Sequence, residues 1–314
     1  MKITNPVAIV LVCLLAQVSG KPKNFSPPGH GSGNGTDHIQ TAANFDSAGA
    51  KMEVCPTGDC QNGKFMRLTV TSLTEVDATG TAVTGKKTTD FNAGNSDWTE
   101  IKTTLVGNVN VSSTTFASSL AVGQATVGFT LTASIPQGDL TVTYGSQTLT
   151  VPAGALKFTV GVADWQFTGV DNGLELVIKL EAKGPKGKGL SKPTKKAKGS
   201  DATAKKLDRV DFGDSMFMDA PTFALIDDTN VETALLNSSV VEFQGGVAFK
   251  WVFPHFTKKL YYDPVLGDDS TNSSGSTSSS GSNSTDATGS SSASKLLLSY
   301  IAAVSLTVLL FGLF

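Results

Sequence analysis

Nucleophilic, acid–base and metal chemistry each need particular side chains at particular spacings, and this 314-residue chain offers few of them. Its three histidines are His30, His38 and His255. His30 and His38 flank Asp37 in a stretch rich in Gly, Pro and Asn, with no further ligand at metal-site spacing, so they read as solvated imidazoles. His255 follows Pro254, and neither a G-x-S-x-G elbow nor an H-E-x-x-H helix accompanies it. A triad built on it would need a nucleophile and an orienting acid delivered by the fold. The carboxylate pairs Asp227-Asp228 and Asp268-Asp269 lack the paired setting of a glycosidase and the oxygen-rich loop of a calcium site. Asp227-Asp228 runs into Thr229-Asn230, which favours a turn over a weak surface calcium site. No catalytic residue, cofactor or metal site is assigned from these residues.

Binding chemistry is better represented. Nine lysines, Lys183, Lys186, Lys188, Lys192, Lys195, Lys196, Lys198, Lys205 and Lys206, crowd one stretch among Gly, Pro, Ser and Ala. They are the candidate contacts for a polyanion: a sulfated glycan, an acidic protein or an anionic matrix surface. The plainer alternative is that they keep a long loop solvated. No aromatic residue interleaves with them, so nucleic acid is not an expected partner. Cys55 and Cys60 are separated by Pro-Thr-Gly-Asp, and in an oxidising compartment they are expected to form one disulfide. Six Asn-X-Ser/Thr sequons occur. Asn34, Asn110, Asn237 and Asn272 are the candidate glycosylation sites, while Asn24 and Asn283 lie close to processing sites.

These groups are framed by two terminal signals. Lys2, the apolar run Val7–Ala16 and the small residues Val18 and Gly20 make 1–20 a secretory signal peptide. In the tail 295–314 the run Leu296–Phe314 is apolar apart from Ser299, Ser305 and Thr307, and no basic residue follows it to fix a cytoplasmic end. With the small-residue stretch before it the tail reads as a glycosylphosphatidylinositol (GPI) signal, with Asn283, Ser284, Asp286 and Ala287 as attachment candidates. A spanning helix is the alternative for the tail. The membrane partner is then the outer leaflet, and the location is the extracellular face of the cell.

Between these ends, the sequence predicts an all-β protein. Residues 21–54 are expected to be a flexible, largely disordered leader. Residues 55–266 alternate apolar and polar positions in short runs. Leu140–Tyr144 and Gln147–Val151 flank a Gly145-Ser146 turn, and Val247, Phe249, Trp251 and Phe253 share one face of a strand. No run keeps a helical period over three turns. The predicted architecture is an antiparallel β-sandwich or barrel-like domain with an exposed insertion at 183–206, followed by a Ser/Gly/Thr-rich stalk at 267–294. The formal net charge of −2 provides no global field for nucleic acid.

Three segments carry a family resemblance: DNGLELVIKLEAKG at Asp171–Gly184, VDFGDSMFMDAPTFALID at Val210–Asp227, and FKWVFPHFTKKLYYDPVLG at Phe249–Gly267. They resemble secreted or membrane-anchored proteins of the coral skeletal organic matrix. The resemblance implies an extracellular matrix setting, shared scaffold strands and no reaction. Long aspartate runs are absent, which argues against direct mineral nucleation. The expected function is a non-catalytic, GPI-anchored surface glycoprotein for adhesion, ligand or matrix contact. A matrix component associated with biomineralisation and a surface hydrolase with an unrecognised site are the alternatives.

Overall fold

The computed structural model describes residues 23–25, 41–46, 50–92, 96–183, 194–197, 207–227, 231–243 and 246–269. Among them there are 21 strands and no α-helix. The N-terminal strands are β1 (Lys23–Phe25), β2 (Ala42–Asp46), β3 (Lys51–Cys55), β4 (Phe65–Val76) and β5 (Ala82–Thr88). Next come β6 (Lys102–Val106), β7 (Val109–Val122), β8 (Ala125–Pro136), β9 (Leu140–Tyr144), β10 (Gln147–Val151), β11 (Leu156–Ala163) and β12 (Gly173–Lys183). The remainder are β13 (Thr194–Ala197), β14 (Leu207–Gly213), β15 (Met216–Pro221), β16 (Phe223–Ile226), β17 (Val231–Ala234), β18 (Asn237–Phe243), β19 (Gly246–Phe253), β20 (Lys259–Tyr262) and β21 (Val265–Asp268).

All pairings are antiparallel, and the strands form two large sheets and one hairpin. One sheet has the order β1-β2-β3-β4-β12-β19-β18, with β5 added beside β4. The other runs β13-β14-β15-β21-β11-β20-β16-β17, and β8, β7 and β6 extend it from β11. β9 and β10 pair only with each other, through the turn expected at Gly145-Ser146. Gly145 has φ +60°, and a Cβ there would lie 2.5 Å from Glu232 Oε1, so the turn needs glycine for both reasons.

Period-two burial puts one face of each sheet into a common core. Leu68 on β4, Leu176 on β12 and Phe249 on β19 join Phe129 on β8, Phe158 on β11 and Leu260 on β20 in that core. Rings meet between the sheets: Phe212 lies 5.9 Å from Phe249, and Tyr262 lies 5.3 Å from Trp251 and 5.0 Å from Phe253. Full burial of each such ring stabilises by about 1.5–3 kcal/mol. The sheets pack together without closing, so the sandwich is formed and the barrel is not.

Several sequence expectations are corrected. Lys23–Phe25, Ala42–Asp46 and Lys51–Cys55 are strands, not flexible leader, because Phe25, Phe45, Met52 and Val54 are buried. No two-residue glycine turn joins them to mark them as strands in the sequence. Thr194–Ala197, inside the expected insertion, pairs with β14 as β13. The sequence pattern also reads Trp165–Phe167 as strand and Asp263-Pro264 as a turn. Trp165–Phe167 lies instead in the loop between β11 and β12, and Asp263-Pro264 does not reverse the chain. β20 and β21 both run along β11, and Pro264, having no N–H to donate, interrupts the ladder between them. Gly267 and Asp268, expected to open the stalk, are buried in β21 instead, and the rest of the expected stalk beyond Asp269 and the GPI signal lie outside the described residues.

Candidate functional site

The basic segment is anchored at its first lysine by the geometry of β4 and β12. In that ladder Lys183 lies opposite Phe65 and Glu181 opposite Arg67, so alternation turns all four outward. Lys183 is exposed, with Nζ 5.6 Å from the centre of the Phe65 ring. Arg67 Cζ lies 5.3 Å from the same ring. Two cations against one half-buried ring give about 0.5–1 kcal/mol each at such a site. A charged polar row runs alongside. Arg67 donates through Nε to Glu53 at 3.0 Å and through Nη1 to Glu181 at 3.2 Å, and Asn44 Nδ2 donates to Glu53 Oε1 at 3.0 Å.

The segment returns through the other sheet, where β13 pairs with β14 and Lys196 stands opposite Arg209 and Lys195 opposite Val210. Lys186, Lys188, Lys192, Lys198, Lys205 and Lys206 lie outside the described residues. Residues 183–206 hold nine lysines against the single Asp201, which leaves 16 cationic and 26 anionic side chains elsewhere, a balance of −10. A basic segment is therefore inserted into an acidic chain.

Carboxylates on the strands around that return are held by cations. Arg209 donates to Asp219 through Nε at 2.7 Å and Nη2 at 2.9 Å, and to Asp269 through Nη1 at 2.9 Å. Its guanidinium also lies 3.8 Å from the centre of the Phe217 ring. Lys64 Nζ donates to Asp268 Oδ2 at 3.0 Å and to the Asp214 carbonyl at 2.6 Å. The Asp268-Asp269 pair is thus split between two cations, a bracing role for the end of β21.

The other acidic groups serve loops. Burial of Glu75 pushes its carboxyl pKa up, but hydrogen bonds from the Thr168 hydroxyl, Asn172, the Thr168 N–H and Trp165 outweigh that and hold it below its ordinary value. For Asp227, partial burial again acts upward and is outweighed by the N–H groups of Lys258 and Thr257 and the Thr257 hydroxyl. Asp227 thus holds a loop 30 residues further along the chain, and the expected turn over Asp228, Thr229 and Asn230 lies outside the described residues. His255 packs its ring 4.5 Å from that of Phe167, and its buried Nδ1 has no hydrogen-bond partner. No base–orienter pair is therefore built on it. The Glu75 cluster was missed by sequence reasoning, because its donors lie 90 or more residues away along the chain.

Cys55 and Cys60 form the expected disulfide, with Cα atoms 5.1 Å apart. Glu53 lies beside them, but both sulfurs are spent in the bond and are not thiolate metal ligands. Of the four candidate glycosylation asparagines, Asn110 and Asn237 are exposed on β7 and β18, while Asn34 and Asn272 lie outside the described residues; Asn24 is exposed on β1. The GPI candidates Asn283, Ser284, Asp286 and Ala287 lie outside them too.

The pattern of one protein family, acidic skeletal organic matrix protein, matches residues 49–311. Among curated proteins none matches. The match spans most of the chain, and the chain belongs to the acidic skeletal organic matrix protein family, which carries with it an extracellular, matrix-associated setting.

Proposed function

We propose that this member of the acidic skeletal organic matrix family is a GPI-anchored surface glycoprotein that holds sulfated polyanions of the matrix through its lysine segment. The observation that carries the reading is the seating of Lys183. The segment leaves the sandwich exposed, on an aromatic ring and beside a guanidinium. The Phe65 ring offers a sugar an apolar surface, and Lys183 beside it offers the sugar's sulfates charge-assisted hydrogen bonds. The nine lysines then extend the contact along a chain polymer. Anchoring is supported by the apolar run Leu296–Phe314 and the small-residue stretch before it.

The test displays the full chain on cells in parent form and with all nine lysines of 183–206 changed to glutamine. Labelled sulfated glycan is expected to bind the parent, to be released as salt shortens the screening length, and to be lost from the variant. Equal binding by both forms removes the lysine segment from the function. A phosphatidylinositol-specific phospholipase is expected to free the protein from the surface, and retention after complete digestion removes the GPI anchor.

A further inference from the structure

Five large apolar side chains are strongly exposed among the described residues: Leu105, Val170, Val231, Leu236 and Val241. Three of them lie beside Asn110 and Asn237, two of the three sequon asparagines among the described residues. Leu105, 68 % exposed, is the direct cross-strand partner of Asn110 in the β6–β7 ladder, so the two side chains share a face. Leu236, 57 % exposed, immediately precedes Asn237. Val241, 46 % exposed, lies four residues beyond Asn237 on β18, and therefore on its face.

Both places are sheet edges. Among the described residues β6 pairs only with β7 and β18 only with β19. On its outer side neither strand has a ladder partner among the described residues, and exposed aliphatic side chains lie along both. An edge of that kind recruits another strand unless it carries charge, proline, a bulge or a cover. β18 reads NSSVVEF, with one charge near its end and no proline, and β6 reads KTTLV, with its charge at the opposite end from Leu105. Asn110 and Asn237 are both exposed, so a substituent on either amide nitrogen projects into solvent beside these edges.

We infer that Asn110 and Asn237 carry N-linked glycans and that these glycans cover the two open edges, keeping the domain from pairing with copies of itself. In the modification, the Asn amide nitrogen bonds to the anomeric carbon of the N-acetylglucosamine of a polyprenyl-diphosphate oligosaccharide. The carbon–oxygen bond to diphosphate breaks, polyprenyl diphosphate departs, and the amide nitrogen loses one proton. The first sugars place C–H faces over Leu105, Leu236 and Val241 and hydrated hydroxyls outward, and their bulk blocks an approaching strand. The inference rests on the extracellular setting and not on the lysine segment, so either can fail without the other.

The full chain, expressed in a glycosylating secretory host, is mapped by glycopeptide mass spectrometry. It is then sedimented in one buffer and detergent before and after an endoglycosidase trims each glycan to a single sugar on the folded protein. Both asparagines are expected to be occupied, and trimming is expected to shift the protein to dimers and larger species that grow with concentration. The same trimming of a Leu105→Thr/Val241→Lys variant, with its asparagines untouched, is expected to leave the sedimentation unchanged. An unmodified Asn110 or Asn237, a trimmed parent that sediments as before, or a trimmed variant that associates as the parent does would each overturn the inference.

Discussion

Glu75 offers the sharpest test of the interior. Its carboxylate is fully buried at the end of β4 and is held by hydrogen-bond donors of Thr168, Asn172 and Trp165. It accepts the Thr168 N–H at 2.7 Å, the Thr168 hydroxyl and the Asn172 amide at 2.6 Å each, and Trp165 Nε1–H at 3.4 Å. Three short bonds to a charged acceptor would be worth about 1.5–3 kcal/mol each, offset by the cost of burying the charge. Glu75→Gln keeps the shape, removes the charge and turns an NH2 group toward groups that themselves donate. A net loss of about 2–3 kcal/mol is expected at neutral pH, read by urea unfolding. The pH dependence follows from the sign of the shift. The folded pKa lies below the unfolded one, so the contribution is complete above the unfolded value of about 4.3 and disappears as pH falls through the folded value. The gap between parent and variant should therefore narrow in acid. A variant as stable as the parent at neutral pH, or a gap that does not change with pH, would refute the reasoning.

Two further substitutions probe how the sandwich is tied. Lys64→Met takes the nearest cation from Asp268, whose side chain is 1 % exposed, and should cost about 3 kcal/mol in denaturant unfolding. Adding Asp268→Asn should recover part of that loss, and additive costs would deny the coupling. Tyr144→Phe removes a buried hydroxyl that donates toward the carbonyls of Tyr261 at 3.0 Å and Phe223 at 3.3 Å. It should cost about 1–2 kcal/mol and raise amide exchange in the β9–β10 hairpin, which otherwise pairs with neither large sheet.

What was legible in the sequence follows the range of the interactions involved. The β10 and β19 runs and the Gly145-Ser146 turn are local patterns, and each forms as read. The disulfide ring closes over five residues and was equally local. β2 and β3 are no longer than β9 and β10, but no two-residue glycine turn joins them, so their two or three inward positions each had no turn signal to mark them as strands. The Glu75 cluster joins residues 90 to 97 apart, and the Lys64–Asp268 pair joins residues 204 apart. No spacing rule reaches such partners. Composition also concealed the charge division, since the whole-chain balance of −2 sums a basic insertion with an acidic remainder.

That division raises the question of why the lysines should favour an outside polyanion over the chain's own acids. The strands at the segment's two ends supply part of the answer. Glu53 and Glu181 are bonded to Arg67, Asp219 and Asp269 to Arg209, and Asp268 to Lys64. Elsewhere Asp59 and Asp77 turn their oxygens onto N–H and hydroxyl groups of their own turns, and both carboxyls are held below their ordinary pKa by those bonds. A lysine competing for any of these acids must displace a partner already in place and give up its own hydration. A sulfated chain arrives with its charges in water and imposes no such displacement. Arg67, Arg209 and Lys64 thus neutralise carboxylates of the fold itself, and under the proposed function the lysines of the inserted segment would meet charge brought from outside.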